Sequence, residues 1–287
     1  MNLTVTSLHI YPVKSLGGIT LPETELYHAG LRYDRQWMLL DQRGRFLSQR
    51  HLPALTQIAT GLNPGALMLE ANGMEPLRIP FRERQGPVIH TEVWGDACEV
   101  ADEGDHAAQW LAQVLGRDPG ARLVRLRSGF KRPQKHPERY GEDTTTQFAD
   151  SAPYLLTAQE SLAALNGELI KHGLEAVDMN RFRANIVLSG LPAFAEHRIA
   201  ELKGHGFTLR LCYPRERCVI TTIDQETGQI DAGGEPFKTL RRMNPMHQAR
   251  PSSDSGGPAF GELAVLVAGQ PARLRVGDQL GVVNRGG

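Results

Sequence analysis

The sequence predicts a mixed α+β, β-rich chain in which a barrel-like N-terminal half leads into a second β-rich half with a few flanking helices. Three observations predict this. Between residue 3 and about residue 102, short apolar or alternating runs are punctuated by turn residues. Helical periodicity is confined to a few segments, and strands return after the longest of them. At 287 residues the chain lies within the ~250 to 300 residues at which single cores stop growing, enough for one large domain or two ordinary ones, and two are expected.

Taken in order, "LTVTSLHIYPV", "TLPETEL", "QWMLLDQRGRFLS", "ALMLEAN" and "TEVWGDACEVAD" read as strands. A helix follows at about 106–115, where Ala108, Leu111, Ala112 and Leu115 recur at helical spacing, with Asp105 to cap its start and Gly116 its end. The domain boundary falls near residues 117–121, "RDPGA", giving units 1–118 and 119–287. After the strand "ARLVRLR", residues 128–147 carry charges and prolines without apolar period and read as a long exposed loop. "LTAQESLAALNGELIKHG" is the clearest helix: Thr157 and Glu160 have capping-box spacing, Leu162, Leu165 and Leu169 share a face, and Gly173 can close it. Strands then follow at "ANIVLS", "FTLRLC", "CVITTID", "LAVLVAG" and "ARLRVGDQLGVV", with a short helix "PFKTLRRM" starting at Pro236. In "FTLRLC" the apolar Phe207, Leu209 and Leu211 put Cys212 on the polar-side face; in "CVITTID" Cys218 shares a face with Ile220, Thr222 and Asp224.

Lys plus Arg and Asp plus Glu are both 32, so no whole-molecule field draws the chain to nucleic acid or an anionic membrane. Any anion site must be local. The longest apolar runs, such as "LAVLVAG", fall far short of the ~18 to 20 residues that cross a bilayer. No signal or transit peptide is readable at the N-terminus, which makes a cytoplasmic location the default expectation. Cys98, Cys212 and Cys218 are widely spaced and odd in number, so disulfides are not expected to hold the fold.

Cys218 stands between a charged turn and an apolar, β-branched run, in "YPRERCVITTIDQETGQID". Three roles are open to it: packed core thiol, metal ligand or nucleophile. Arg215 and Arg217 immediately before it favour thiolate, the form that ligates soft or borderline metals. Spacing to Cys212 and His205 matches no zinc pattern, and no spacing names a histidine base. In "YPVKS" the proline marks a strand exit, placing Lys14 and Ser15 at a sheet rim where an ammonium and a hydroxyl can grip a phosphate. In "RYDRQWML", Arg35 can pair with Asp34 or point into a cleft. In "NRFRANIVLSG", Arg181, Arg183 and Asn185 alternate, so as a strand they share one polar face suited to an anion or heterocycle.

In this order the pieces resemble a known family. "HIYPVKSLGG" with "GLRYDRQWMLLD" looks like the β-barrel domain that precedes MOSC domains, and "RFRANIVLSGLPAFAE", "RCVITTIDQETGQID" and "RVGDQLGVV" look like the MOSC domain itself, the C-terminal domain of molybdenum-cofactor sulfurases. The resemblance spans nearly the whole chain and extends to the amidoxime-reducing components and to bacterial proteins that protect against hydroxylaminopurine. It implies an N-terminal barrel domain over 1–118 and a MOSC barrel domain over 119–287. It further implies that Cys218 supplies a thiolate to molybdenum, and that Lys14, Ser15, Arg35, Ser151 of "FADSAPY", Arg183 and Asn185 bind the molybdenum cofactor. The implied activity is reduction of small N-hydroxylated compounds, a detoxifying reaction, with a carrier or sulfur-handling module as the alternative.

The sequence departs from the family pattern in places: Arg215 and Glu216 replace the first two residues of a common "CSRC", Ala152 replaces a hydroxyl, and "FGEL" at 260–263 replaces "FGQN". With no cysteine after Cys218, no built-in iron-sulfur cluster is expected, so electrons would come from a separate flavin-reductase or ferredoxin-type protein. Pyridoxal phosphate, nucleic acid and membrane are not expected as partners.

Overall fold

The computed structural model describes residues 2–133, 136–244 and 257–286. In chain order the first strands are Asn2–Ile10 (β1), Ile19–Leu21 (β2), Glu23–Tyr27 (β3), Gly30–Leu31 (β4), Trp37–Leu40 (β5), Ala59–Asn63 (β6), Ala66–Glu70 (β7), Leu77–Pro80 (β8), Ile89–Val93 (β9) and Asp96–Asp102 (β10). Helix Asp105–Leu115 (α1) leads to strand Arg122–Leu126 (β11) and the single-turn helix Pro137–Tyr140 (α2). Then come Tyr154–Ala158 (β12), helix Gln159–Lys171 (α3), Ile186–Ser189 (β13), Ile199–Gly204 (β14) and Phe207–Glu216 (β15). Helix Phe237–Met243 (α4) precedes Ala259–Ala268 (β16), Ala272–Arg275 (β17) and Gln279–Asn284 (β18).

Seven strands close into a barrel in the order β13-β12-β16-β15-β14-β18-β1, because β1 pairs with both β18 and β13. Leu3, Val5, Leu8 and Ile10 of β1 all point inward, although the apolar alternation slips phase between Val5 and Leu8. A register shift between Val5 and Ser7 absorbs the slip: a bulge inserts one residue and restores the inward face. Leu156, Ile186, Leu188, Leu202, Leu209, Leu211 and Leu266 fill the rest of the interior, so the barrel is a packed core with no room for a ligand. Earlier residues build a second core, in which Trp37, Leu39, Leu67, Leu69, Ile79, Trp110 and Leu111 pack between β5, β7, β8 and α1.

The β-rich architecture agrees with the sequence reading, and strand pairing crosses the division expected at 117–121. β1 belongs to the barrel of the later half, while β11 pairs with β5 and β10 of the earlier half.

Several local expectations are corrected. Residues 219–222 of "CVITTID" form a 3₁₀ turn instead of a strand. The threonine hydroxyls turn back on the main chain, Thr221 Oγ1 to the Cys218 carbonyl at 3.0 Å and Thr222 Oγ1 to the Val219 carbonyl at 2.7 Å, which competes with a strand ladder. Residues 179–182 are likewise a 3₁₀ turn, and Arg183 is left-handed with φ 52°, so Arg181, Arg183 and Asn185 do not alternate along one strand face. α1 begins at Asp105 with Gly104 as its N-cap, and α4 follows Pro236 as its N-cap. The capping box does not form: Thr157 is buried against Met179 and the Glu160 carboxylate accepts the Gly190 N–H at 2.7 Å. The 128–147 loop is not wholly exposed either. Arg132 is buried in it, donating to the Gln147, Ala149 and Val93 carbonyls and to Asp96; residues 134–135 lie outside the described part.

Candidate functional site

Lys14, Ser15, Arg35, Ser151, Arg183, Asn185 and Cys218 all line one cleft, with wall residues drawn from both halves of the chain. The cleft encloses about 840 Å³ of atom-free space, open to solvent.

The backbone reaches this arrangement by unusual means. Among the described residues seven non-glycines have positive φ, and four of them, Ser15, Arg35, Trp94 and Arg183, line the cleft. Such conformations cost of order 1–3 kcal/mol each and persist where the surroundings over-determine them.

Lys14 leaves the end of β1 through Tyr11–Val13 and is buried, donating from Nζ to the Phe148 carbonyl at 2.9 Å and to the Asp150 carboxylate. Asp150 also accepts from Trp94 Nε1 at 2.9 Å and from Arg215 Nη2 at 2.8 Å. Burial pushes the Asp150 carboxyl up. The charges of Lys14 and Arg215 and the hydrogen bonds from Lys14 and Trp94 outweigh it and hold the group well below the usual carboxylate range. Arg215 Nη1 donates to Ser151 Oγ at 3.2 Å, so the arginine that departs from the family pattern is built into this network.

On the opposite side, Arg35 both pairs with Asp34 at 2.6 Å and reaches the cleft, donating to Asn185 Oδ1 at 3.0 Å and to the Arg183 carbonyl at 3.1 Å. Arg35 and Arg183 lie over the Tyr11 ring at 4.4 and 4.2 Å. Asn185 is almost fully buried; its amide also binds the His9 carbonyl and the Leu155 N–H, which fixes the junction between β1 and β12. Arg181 is not in the cleft and pairs with Asp224 at 3.0 Å.

Sequence reasoning did not single out Asp150, Arg50 or Trp94, and treated Arg217 only as a neighbour of Cys218. Arg50 Nη2 lies 3.4 Å from Cys218 Sγ. Arg217 Nη2 donates to the Phe182 carbonyl at 2.6 Å, while its Nε and Nη1 are buried with no hydrogen-bond partner in the protein. Burial pushes Arg217 down to about 9, with the charge of Arg215 acting in the same direction, and Arg183 down to about 10. Among the described residues no carboxylate lies within 4.0 Å of Arg50, Arg183 or Arg217. Buried guanidinium donors left without a partner are costly, and an anion in the cleft satisfies them.

Among the described residues no histidine lines the cleft. Among the described residues no three His, Cys, Asp or Glu side chains gather as a metal cage. All three cysteines are free. No described helix is long and apolar enough to cross a membrane.

What the closed barrel, the turn-borne cysteine and the cationic cleft define is a MOSC-type fold. Residues 2–118 match the MOSC N-terminal beta barrel domain and residues 143–281 match the MOSC domain. The chain belongs to the MOSC-domain family that includes the mitochondrial amidoxime-reducing components. It is 34% identical over 284 residues to "Mitochondrial amidoxime reducing component 2" of Rattus norvegicus, covering 96% of this chain and 82% of that one. Against "Mitochondrial amidoxime-reducing component 1" of Homo sapiens the identity is 31% over 282 residues, covering 96% and 81%. "Molybdenum cofactor sulfurase" of Bos taurus is 32% identical over 243 residues, 78% of this chain but 27% of that protein.

Proposed function

We propose that this chain is a molybdenum-cofactor-dependent reductase of small N-hydroxylated compounds, with Cys218 as the protein's ligand to molybdenum. The observation that carries the proposal is the meeting, in one cleft, of Cys218 with guanidiniums that have no counter-charge, Arg183 and Arg217, the second with two buried donors unpaired. An anionic cofactor fits that donor set. Its phosphate suits the Lys14, Arg35 and Arg183 side, where charge-assisted hydrogen bonds are available. With only one cysteine to offer, the chain leaves the other ligands of the metal to the cofactor.

The balanced reaction converts N–OH, two electrons and two protons into N–H and water. When bound, the cofactor supplies the two-electron chemistry. The protein's part is to hold and shape. Cys218 Sγ would present the sulfur ligand from the N-cap of the 3₁₀ turn, and Arg50 orients it. Asp150, kept ionised, fixes Lys14, Arg215 and Trp94 around the opening, and offers a carboxylate oxygen to an N–H or O–H of the substrate. The electrons come from a separate flavin-reductase or ferredoxin-type protein, and the reaction serves detoxification in the cytoplasm.

The kinship to molybdenum cofactor sulfurases favours a second reading, a cofactor carrier or sulfur-transfer module without redox turnover. Protein made in a cofactor-producing host separates the two. The reductase reading expects molybdenum and pterin at near-equal stoichiometry and turnover of a hydroxylamine with an artificial donor, both lost in Cys218→Ala. Full activity and full molybdenum content in Cys218→Ala would sink it, and binding without turnover in the wild type would leave the carrier.

A further inference from the structure

The outer wall of the cleft carries a pair of side chains, Arg50 and Trp94, that face entering molecules as well as the groups they hold. Trp94, in the turn after β9, has φ 56° and is 39% exposed. Its ring is held in place by the 2.9 Å bond from Nε1 to Asp150 and by the edge of Phe46, centroids 5.0 Å apart. Arg50 lies over the indole with its guanidinium carbon 4.6 Å from the ring centroid, while its Nη2 is 3.4 Å from Cys218 Sγ. One guanidinium plane therefore spans the distance between a solvent-exposed aromatic and the sulfur.

The charges around the cleft assign that plane a role. The lining carboxylates are Asp150 and Glu216. Asp150 is engaged by Lys14 and Arg215, and Glu216 is exposed and beyond 4.0 Å of Arg50. Arg35 is matched by Asp34. That leaves Arg50, Arg183 and Arg217. Arg183 and Arg217 are anchored on the main chain, at the Leu16 and Phe182 carbonyls, and are taken up by the anionic cofactor proposed above. Among the described residues Arg50 has no such anchor on a carbonyl or carboxylate, and it faces the exposed indole. Its positive charge is available to whatever enters.

We propose that Arg50 and Trp94 form the substrate-selecting wall of the cleft, and that this wall favours flat N-hydroxylated compounds carrying a negative charge over equally shaped cationic ones. The inference rests on the N-hydroxyl reduction proposed above. A planar conjugated group stacks along the guanidinium and indole, as arginine and aromatic faces do elsewhere, and an anionic substituent pairs with Arg50. A cationic substituent meets Arg50 and Arg215 with like charge.

Three aryl amidoximes of one shape test this: one with a 4-carboxylate, one unsubstituted and one with a 4-trimethylammonium group. With molybdenum-loaded protein and an artificial electron donor at low salt, the carboxylate exceeds the ammonium compound in kcat/KM by about fivefold. The ratio falls toward one in Arg50→Gln and on adding salt, and is partly kept in Arg50→Lys. Because it is a ratio within one preparation, it does not depend on metal loading. A second readout needs no turnover: the carboxylate compound quenches the indole fluorescence of metal-free wild-type protein at lower concentration than the ammonium compound, and Trp94→Leu abolishes the difference. Equal preference in the wild type, or a preference that survives Arg50→Gln, overturns the inference. Preferential quenching without reduction of any of the three supports the wall and overturns the reductase reading instead.

Discussion

Replacing Lys14 and Asp150, singly and together, measures how far the cleft is held in shape before anything binds. Lys14 is 8% and Asp150 26% exposed at the side chain. Breaking a buried pair by removing one partner costs ~3–5 kcal/mol, because a charge is left uncompensated. Two features reduce that figure here: Asp150 is reached by solvent, and after loss of Lys14 it keeps Arg215 and Trp94. Asp150→Asn strands the more buried partner, with only the Phe148 carbonyl left to Lys14, and should cost about 2–3 kcal/mol. Lys14→Met should cost about 1–2 kcal/mol. The double variant then falls short of the sum of the two by about 1–2 kcal/mol, since the second change removes a group already stranded. Urea unfolding of ligand-free protein, followed by tryptophan fluorescence and by circular dichroism, gives all four corners of the cycle. Single effects that add to within ~0.5 kcal/mol would refute the coupling.

Two further outcomes follow from features away from Cys218. Glu196 is fully buried and receives Ser161 Oγ at 2.8 and 2.9 Å, and burial raises its carboxyl above the ordinary 4.5. The folded state then binds more protons than the unfolded one, so stability is greatest below about pH 4.5 as far as this group is concerned and is lost as pH rises through the raised value. Glu196→Gln should flatten the decline of Tm between pH 5 and pH 8, and an unchanged slope counts against it; the facing titratable groups are His197 and Glu262, and neither is altered. Arg181→Ala removes a partly exposed ion pair with Asp224 outside the cleft, so it should cost less than ~1 kcal/mol and leave molybdenum content unchanged; loss of metal there would restore Arg181 to the site.

The strand pattern and the site were legible in the sequence to different depths. Alternation marked Phe207, Leu209 and Leu211 as one apolar face, and all three are buried in the barrel, since period two is a direct consequence of the pleat; in β1 the bulge after Val5 breaks that period. The seven residues matched through the family motifs meet in one cleft although they are spread from Lys14 to Cys218. Local pattern failed at the two places where chain direction changes. "NRFRAN" and "CVITTID" both carry strand-like composition, yet Arg183 takes a left-handed conformation and Thr221 and Thr222 bond backward, and neither event has a period. Asp150, Arg50 and Trp94 are invisible for a related reason. Each acquires its role from a partner 56 to 168 positions away, and Trp94 does so from a positive-φ turn that no composition announces. One signal was available for Asp150, which directly precedes Ser151 in "FADSAPY".

The way β1 is shared also bears on how the protein can be made and cut. Asn2–Ile10 emerges before every other described strand, but its neighbour β18 follows about 280 residues later, as in the pairing of Asn2 with Gly281. The ring therefore stays open until nearly the whole described chain is available, and contacts of such long sequence separation slow folding. A fragment starting after the first half would present β13 and β18 as two bare edges, ready templates for another chain. Lys14 and Ser15 lie only a few residues past β1, so the stroke that seals the ring also delivers them opposite Cys218.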